Sequence, residues 1–133
     1  MTVERLQRYK SLADIIAQDK EQLARLESAA IHPGGRIGGG GGRSAAGDRT
    51  GAQVARMEEL SERLRAEIQE FEIERAEIYA WCMEIPEAHV RKIVVWRAVY
   101  LYPWRKIARK AGGRNTEASV KAIYYRYVRR AAE

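Results

Sequence analysis

Nine of the chain's eleven glycines fall between Ile31 and Gly51, in the run IHPGGRIGGGGGRSAAGDRTG. Glycine loses more conformational freedom on ordering than any other residue, so residues 31–51 read as a flexible connector. Few residues on either side would interrupt a helix. Thr2–Ala30 contains neither glycine nor proline, and the first proline after the connector is Pro86. Punctuation of this kind confines the chain to long helices with a few abrupt ends, and the expectation is an all-α fold.

Periodicity fills in the helices. In the first segment Tyr9, Leu12, Ile16, Asp19, Leu23, Leu26 and Ala30 recur at spacings of three and four, a helical stripe interrupted once by Asp19. A second helix is expected over 50–84, with Asp48 or Thr50 as its N-cap. Its stripe is Val54, Met57, Leu64, Ile68, Phe71, Ile78, Cys82 and Ile85, with Ser61 and Arg75 as polar members. Neither helix can bury its stripe alone. Pairing as a long antiparallel, coiled-coil-like hairpin is the simplest solution, and apolar surface left over argues for a homo-oligomer. Pro86 ends the second helix, which places a domain boundary and hinge at Ile85–Glu87 and divides the chain into residues 1–85 and 86–133.

Charge separates the same two regions. Residues 88–133 carry twelve Lys or Arg against Glu117 and Glu133, a net +10, while the rest of the chain carries −4. A basic module beside a mildly acidic one points to a polyanionic partner, nucleic acid first among them. Within the basic region, residues 88–100 are helical in pattern, with Ile93 and Trp96 facing a core. Pro103 stands as a first helical residue before Trp104–Ala111, Gly112-Gly113 stop that helix, and Asn115 or Thr116 caps a last one. Short helix, glycine turn and amphipathic basic helix make a helix-turn-helix, held together by Trp104, Ile107, Ala108 and Val120. Glu117, Ala118, Lys121, Ala122 and Tyr125 are then the candidates for base edges in the major groove of double-stranded DNA. Arg105, Lys106, Arg109, Lys110, Arg114, Arg126, Arg129 and Arg130 are the candidates for phosphate. Tyr100, Tyr102, Tyr124 and Tyr127 are most simply core or turn packing rather than a single-strand stacking surface.

Other chemistries find little footing. The glycine run lacks the Gly-Lys-Ser/Thr and preceding strand of a phosphate loop. His32, His89 and the single Cys82 lie in separate segments without metal-ligand spacing, and Cys82 sits on the apolar stripe as a small core residue. The acids from Glu67 to Glu77 alternate with Arg65 and Arg75 as a solvated helix face. No enzyme activity, cofactor or metal is expected. The lone cysteine and the lack of a signal segment or spanning stretch suggest a cytoplasmic protein with no membrane contact.

The residues Arg91-x-Ile93-Val94-x-Trp96-Arg97-x-Val99, then Trp104-x-x-Ile107-Ala108, then Ser119-Val120, resemble the last DNA-binding region of bacterial sigma factors, region four. The order of a Tyr9-x-Ser11-Leu12 helix, a glycine-rich segment, a second helix and this motif is similar to phage-encoded ArpU/RinA-type transcriptional regulators. That resemblance covers nearly the whole chain. It implies control of phage late or packaging genes in a bacterial host, by promoter binding with contact to host RNA polymerase. It also places Ser119 and residues 121–126 in the recognition helix, which makes Ser119 a further base-edge candidate. Two positions depart from the pattern: the turn before Trp104, usually glycine-containing, reads Tyr100-Leu101-Tyr102-Pro103, and the usually acidic pair after it is Arg105-Lys106. Two other readings fit the same layout: a phage small terminase subunit that recognises packaging-site DNA as a closed ring, and a coiled-coil adaptor whose basic domain binds an acidic protein.

Overall fold

The structure, a computed structural model, describes residues 1–31 and 43–132. Every regular element among them is helical: α1 (Val3–Ile31), α2 (Arg43–Met83), α3 (Ala88–Val94) continued by a π-turn (Val95–Val99), α4 (Trp104–Ala111) and α5 (Glu117–Ala131). No helix among the described residues is long and apolar enough to cross a membrane.

Two helix boundaries differ from the sequence expectation. The connector expected over 31–51 is helical from Arg43 onward, so Asp48 and Thr50 lie inside α2 rather than capping it. Alanines at 45, 46, 52 and 55 are the strongest helix formers and dilute the cost of Gly47 and Gly51, about 1 kcal/mol each. The expectation of a flexible segment otherwise falls on residues 32–42, outside the described residues. Pro103 is the N-cap of α4, extended at ψ 151°, and Trp104 is the first helical residue.

The chain divides into two compact units, and the division falls inside α1 and α2 rather than at Pro86. One unit combines Met1–Leu12 with Phe71–Glu133; the other is Ala13–Glu70. Ile85, expected at a hinge, is only 1% exposed. It shares a core with Leu6 and Tyr9 of α1, Ile78 and Cys82 of α2, and Ile93, Val94, Val99, Ile107, Val120 and Val128 beyond. Each such aliphatic side chain contributes about 1.5–3 kcal/mol when fully buried. Breaking the chain at Pro86 would split this core, so the sequence boundary is a turn within a unit.

The stretch 88–100 is not one regular helix. The Tyr100 amide donates to the carbonyl of Val95 at 3.2 Å, five residues back, which widens the last turn. Packing supplies the reason. At ordinary helical spacing Arg97 would follow Ile93 into the core, whereas the widened turn seats Ala98 and Val99 beneath Ile93 and Val94. Arg97 is thereby turned out of the core. The segment closes through Leu101, whose φ of 57° lies in the left-handed region that glycine usually fills.

In the unit Ala13–Glu70, Ile16 of α1 is buried, as are Leu60 and Leu64 of α2. Leu60 was not in the expected stripe, and Val54, which was, is 46% exposed. Asp19, the polar break in the α1 stripe, is 8% exposed and accepts from Arg63 Nη2 at 3.2 Å and Nε at 3.4 Å. Gln53 donates its side-chain amide to the carbonyl of Leu26 at 3.1 Å. Glu67 lies beside Asp19 with its Oε2 buried and unpaired. Burial first, and then the Asp19 carboxylate, push the Glu67 pKa above its usual range, with Arg63 opposing.

Candidate nucleic-acid interface

The arrangement that places the basic side chains begins at a turn. Gly112 and Gly113 both have positive φ, 67° and 61°, which a β-carbon would strain. The Gly112 amide closes α4 by donating to Ala108, and its carbonyl accepts from both the backbone and side-chain amides of Asn115. Thr116 then caps α5. Its hydroxyl accepts from the Ser119 amide at 3.1 Å, while its own amide donates to Ser119 Oγ at 2.8 Å. This reciprocal pair fixes where α5 starts and satisfies two of its open donors.

The cap also settles where Ser119 sits among the base-edge candidates. Its hydroxyl donates to the Thr116 carbonyl at 3.0 Å while accepting from the Thr116 amide. The side chain is half-buried and engaged in holding the helix start. Glu117, Ala118, Lys121 and Ala122 are exposed on the first turns of α5. Glu117 lies in the first turn, where a carboxylate is favoured by the helix dipole. Tyr125 is half-buried in an aromatic cluster, its ring 5.1 Å from Tyr124 and 6.1 Å from Trp104, with the Arg129 guanidinium 5.5 Å away.

All eight phosphate candidates are exposed, but they fall into separate groups. Arg105 and Arg109 follow one another at helical spacing on α4, and Arg114 lies on the turn beyond. Lys106 and Lys110 lean towards the preceding loop: Lys106 Nζ is 3.8 Å from the centre of the Tyr102 ring, and Lys110 Nζ is 5.7 Å from it. Arg126, Arg129 and Arg130 border an open hollow of about 550 Å³ along the later turns of α5, together with Ala122 and Tyr125. Every ion pair among the described residues lies on α1 and α2. The cations of α4, the turn and α5 therefore have no carboxylate partner among the described residues.

Arg97 received no role from sequence. Its guanidinium lies 4.4 Å from the Trp104 ring and donates to the Tyr102 carbonyl at 3.0 Å, tying the π-turn to the start of α4. The break in helical period that turns it outward is invisible to a scan at 3.6 residues per turn. Tyr100, expected as packing, is 45% exposed and stacks on Tyr102 at 5.6 Å. Tyr124 does enter the core, where burial pushes its pKa up to about 12. Cys82, fully buried, has its thiol pushed up to about 12 by the same cause and has no exposure for chemistry. No group of three or more His, Cys, Asp or Glu side chains gathers as a metal site among the described residues.

No protein-family model, curated protein or solved structure matches the chain.

Proposed function

We propose that this chain is a sequence-selective, duplex-DNA-binding transcriptional regulator of the phage ArpU/RinA type. In this reading α4, the glycine turn and α5 act as a helix-turn-helix, and α1 and α2 form the antiparallel hairpin of a homo-oligomer. The observation that carries it is the capped start of α5, which exposes Ala118, Lys121 and Ala122 beside cations on α4 and the turn that make no ion pair among the described residues. Small side chains allow a helix close approach to the groove floor, and a lysine among them can donate to guanine O6 and N7. Arg105, Arg109 and Arg114 neutralise phosphates and set the docking register. Ser119 positions the helix rather than reading bases.

The test is fluorescence-anisotropy titration of duplexes from the gene's own neighbourhood against a scrambled duplex, at two salt concentrations. Lys121→Ala is expected to lose about 1–3 kcal/mol of discrimination between the two. Arg109→Ala weakens both alike and lowers the salt slope by about one. Equal binding of both duplexes by the parent protein refutes sequence selectivity.

A further inference from the structure

Helix α2 carries two apolar faces in its C-terminal half, and only one is covered. Phe71, Ile78 and Cys82 pack into the unit's own core. On the opposite side Ile73, Ala76, Ala80 and Met83 are all exposed, at the three-four-three spacing of a coiled-coil seam. Ile73, Tyr79, Met83 and Tyr100 make up four of the six large hydrophobic side chains exposed among the described residues. Tyr79, Met83 and Tyr100 line one groove, and exposed apolar side chains gathered in this way are a general mark of interaction surfaces.

We propose that this face, with the groove beside it, is where a second copy of this chain pairs antiparallel across a two-fold axis. The proposal rests on the reading of the chain as a homo-oligomer, and it names the surface. The groove holds about 290 Å³, floored by Tyr79, Met83, Val95 and Trp96 and edged by Arg91 and Lys92, with no carboxylate in its lining. Ile73 is 54% exposed, the most of any large apolar side chain in the unit, and its neighbour Glu72 is exposed as well.

Knob and hollow lie at opposite ends of one short stripe. An antiparallel crossing centred between Ala76 and Ala80 seats Ile73 of each copy against Met83 in the groove of the other. Each Glu72 then meets the other copy's Arg91 and Lys92. The two alanines at the crossing let the helices approach closely. One surface supplies both halves of the contact, as an isologous interface requires. A parallel pairing would instead set Glu72 against Glu72. Glu77, which comes near its own counterpart in the antiparallel arrangement, is already engaged by Arg5 of α1, which also holds Glu74 at 3.0 Å.

The experiment is the mass of the full chain by light scattering across a concentration series, with far-UV circular dichroism as the folding control. The parent protein is expected to run as a dimer or as an assembly of dimers. Ile73→Glu should weaken pairing at least ten-fold with helicity retained. Glu72→Lys and Lys92→Glu should each weaken it, and the double variant should restore it. If Ile73→Glu loses helicity, the charge-reversal pair decides alone. A parent protein that is monomeric at every concentration overturns both self-association and this surface. An oligomer unaffected by these substitutions leaves self-association standing and overturns this surface. Neither Ile73, Glu72 nor Lys92 belongs to the proposed DNA-contacting set, so duplex affinity per protomer is an independent readout.

Discussion

Replacing Tyr9 with phenylalanine tests how the start of α1 is held to the C-terminal helices. Tyr9 is 2% exposed, and its hydroxyl donates to the carbonyl of Val99 at 3.0 Å. In a continuing helix that carbonyl would accept from the amide four residues on, but residue 103 is proline and has none. The tyrosine hydroxyl takes the place of the missing donor. Tyr9→Phe removes the hydroxyl while keeping the ring, which stacks on Phe71 at 4.6 Å and 9°. Leaving a buried acceptor unsatisfied costs about 1–3 kcal/mol. The assay is urea unfolding followed by tryptophan emission, because Trp81, Trp96 and Trp104 all lie in this unit. At a slope of about 1 kcal/mol per molar for a domain this small, the midpoint should fall by about 1–3 M. A second signature is alkaline. Burial pushes the Tyr9 pKa from 10 up to about 12, so the folded hydroxyl stays neutral where the unfolded one ionises. Stability contributed by this group is thus present below pH 10 and is lost as the pH climbs towards 12. Tyr124 shares that window, so the phenylalanine variant should lose a smaller amount there, not none. A midpoint unchanged within about 0.3 M would refute the role given to the Val99 carbonyl.

Two further substitutions probe the rest of the fold. Glu67 has its pKa raised in the folded state by burial and by Asp19, with Arg63 opposing and Glu70 adding to the rise, so the folded protein holds a proton that the unfolded chain has released. Stability should therefore fall as pH rises above 4.5, and Glu67→Gln should flatten that fall and raise the neutral-pH midpoint, read by circular dichroism melts between pH 4.5 and 7. Thr116→Ala removes the cap of α5 and is expected to cost about 1 kcal/mol. The same urea titration measures it, and an unchanged midpoint would mean that the reciprocal bonds with Ser119 contribute nothing net.

What could be read ahead of the structure followed from residues whose effect is local. The glycine pair at 112–113, the Thr116 cap and the end of α2 just before Pro86 each act through their own backbone, and the helices stop and start accordingly. The buried Ile93, Ile107, Val120 and Val128 were legible from helical spacing. The π-turn was not, because a single added residue changes the period for one turn only. Nor was the joining of residues 1–12 to residues 71–133, since Tyr9 looks like any apolar member of the α1 stripe. Its partner is a carbonyl ninety residues away, left without a donor by a proline. Among the site candidates, exposure of the cations was legible and the engagement of Ser119 was not, because a serine at the third helical position serves a cap and a groove equally well.

The joining of residues 1–12 to residues 71–133 has a kinetic consequence. The unit that holds the basic helices cannot complete its core until Leu6 and Tyr9 meet residues from Ile78 to Val128. During synthesis α1 emerges first and must wait for those partners, with residues 13–70 as the loop to be closed. Closing a loop of that length before its contacts exist slows folding, and the more so the greater the sequence distance the contacts span. Early helix formation by residues 13–70 would shorten the effective loop, so substitutions at Ile16, Leu60 or Leu64 should slow the folding of a unit to which none of them belongs. On this expectation the segment between them governs how fast residues 1–12 and 71–133 become one core.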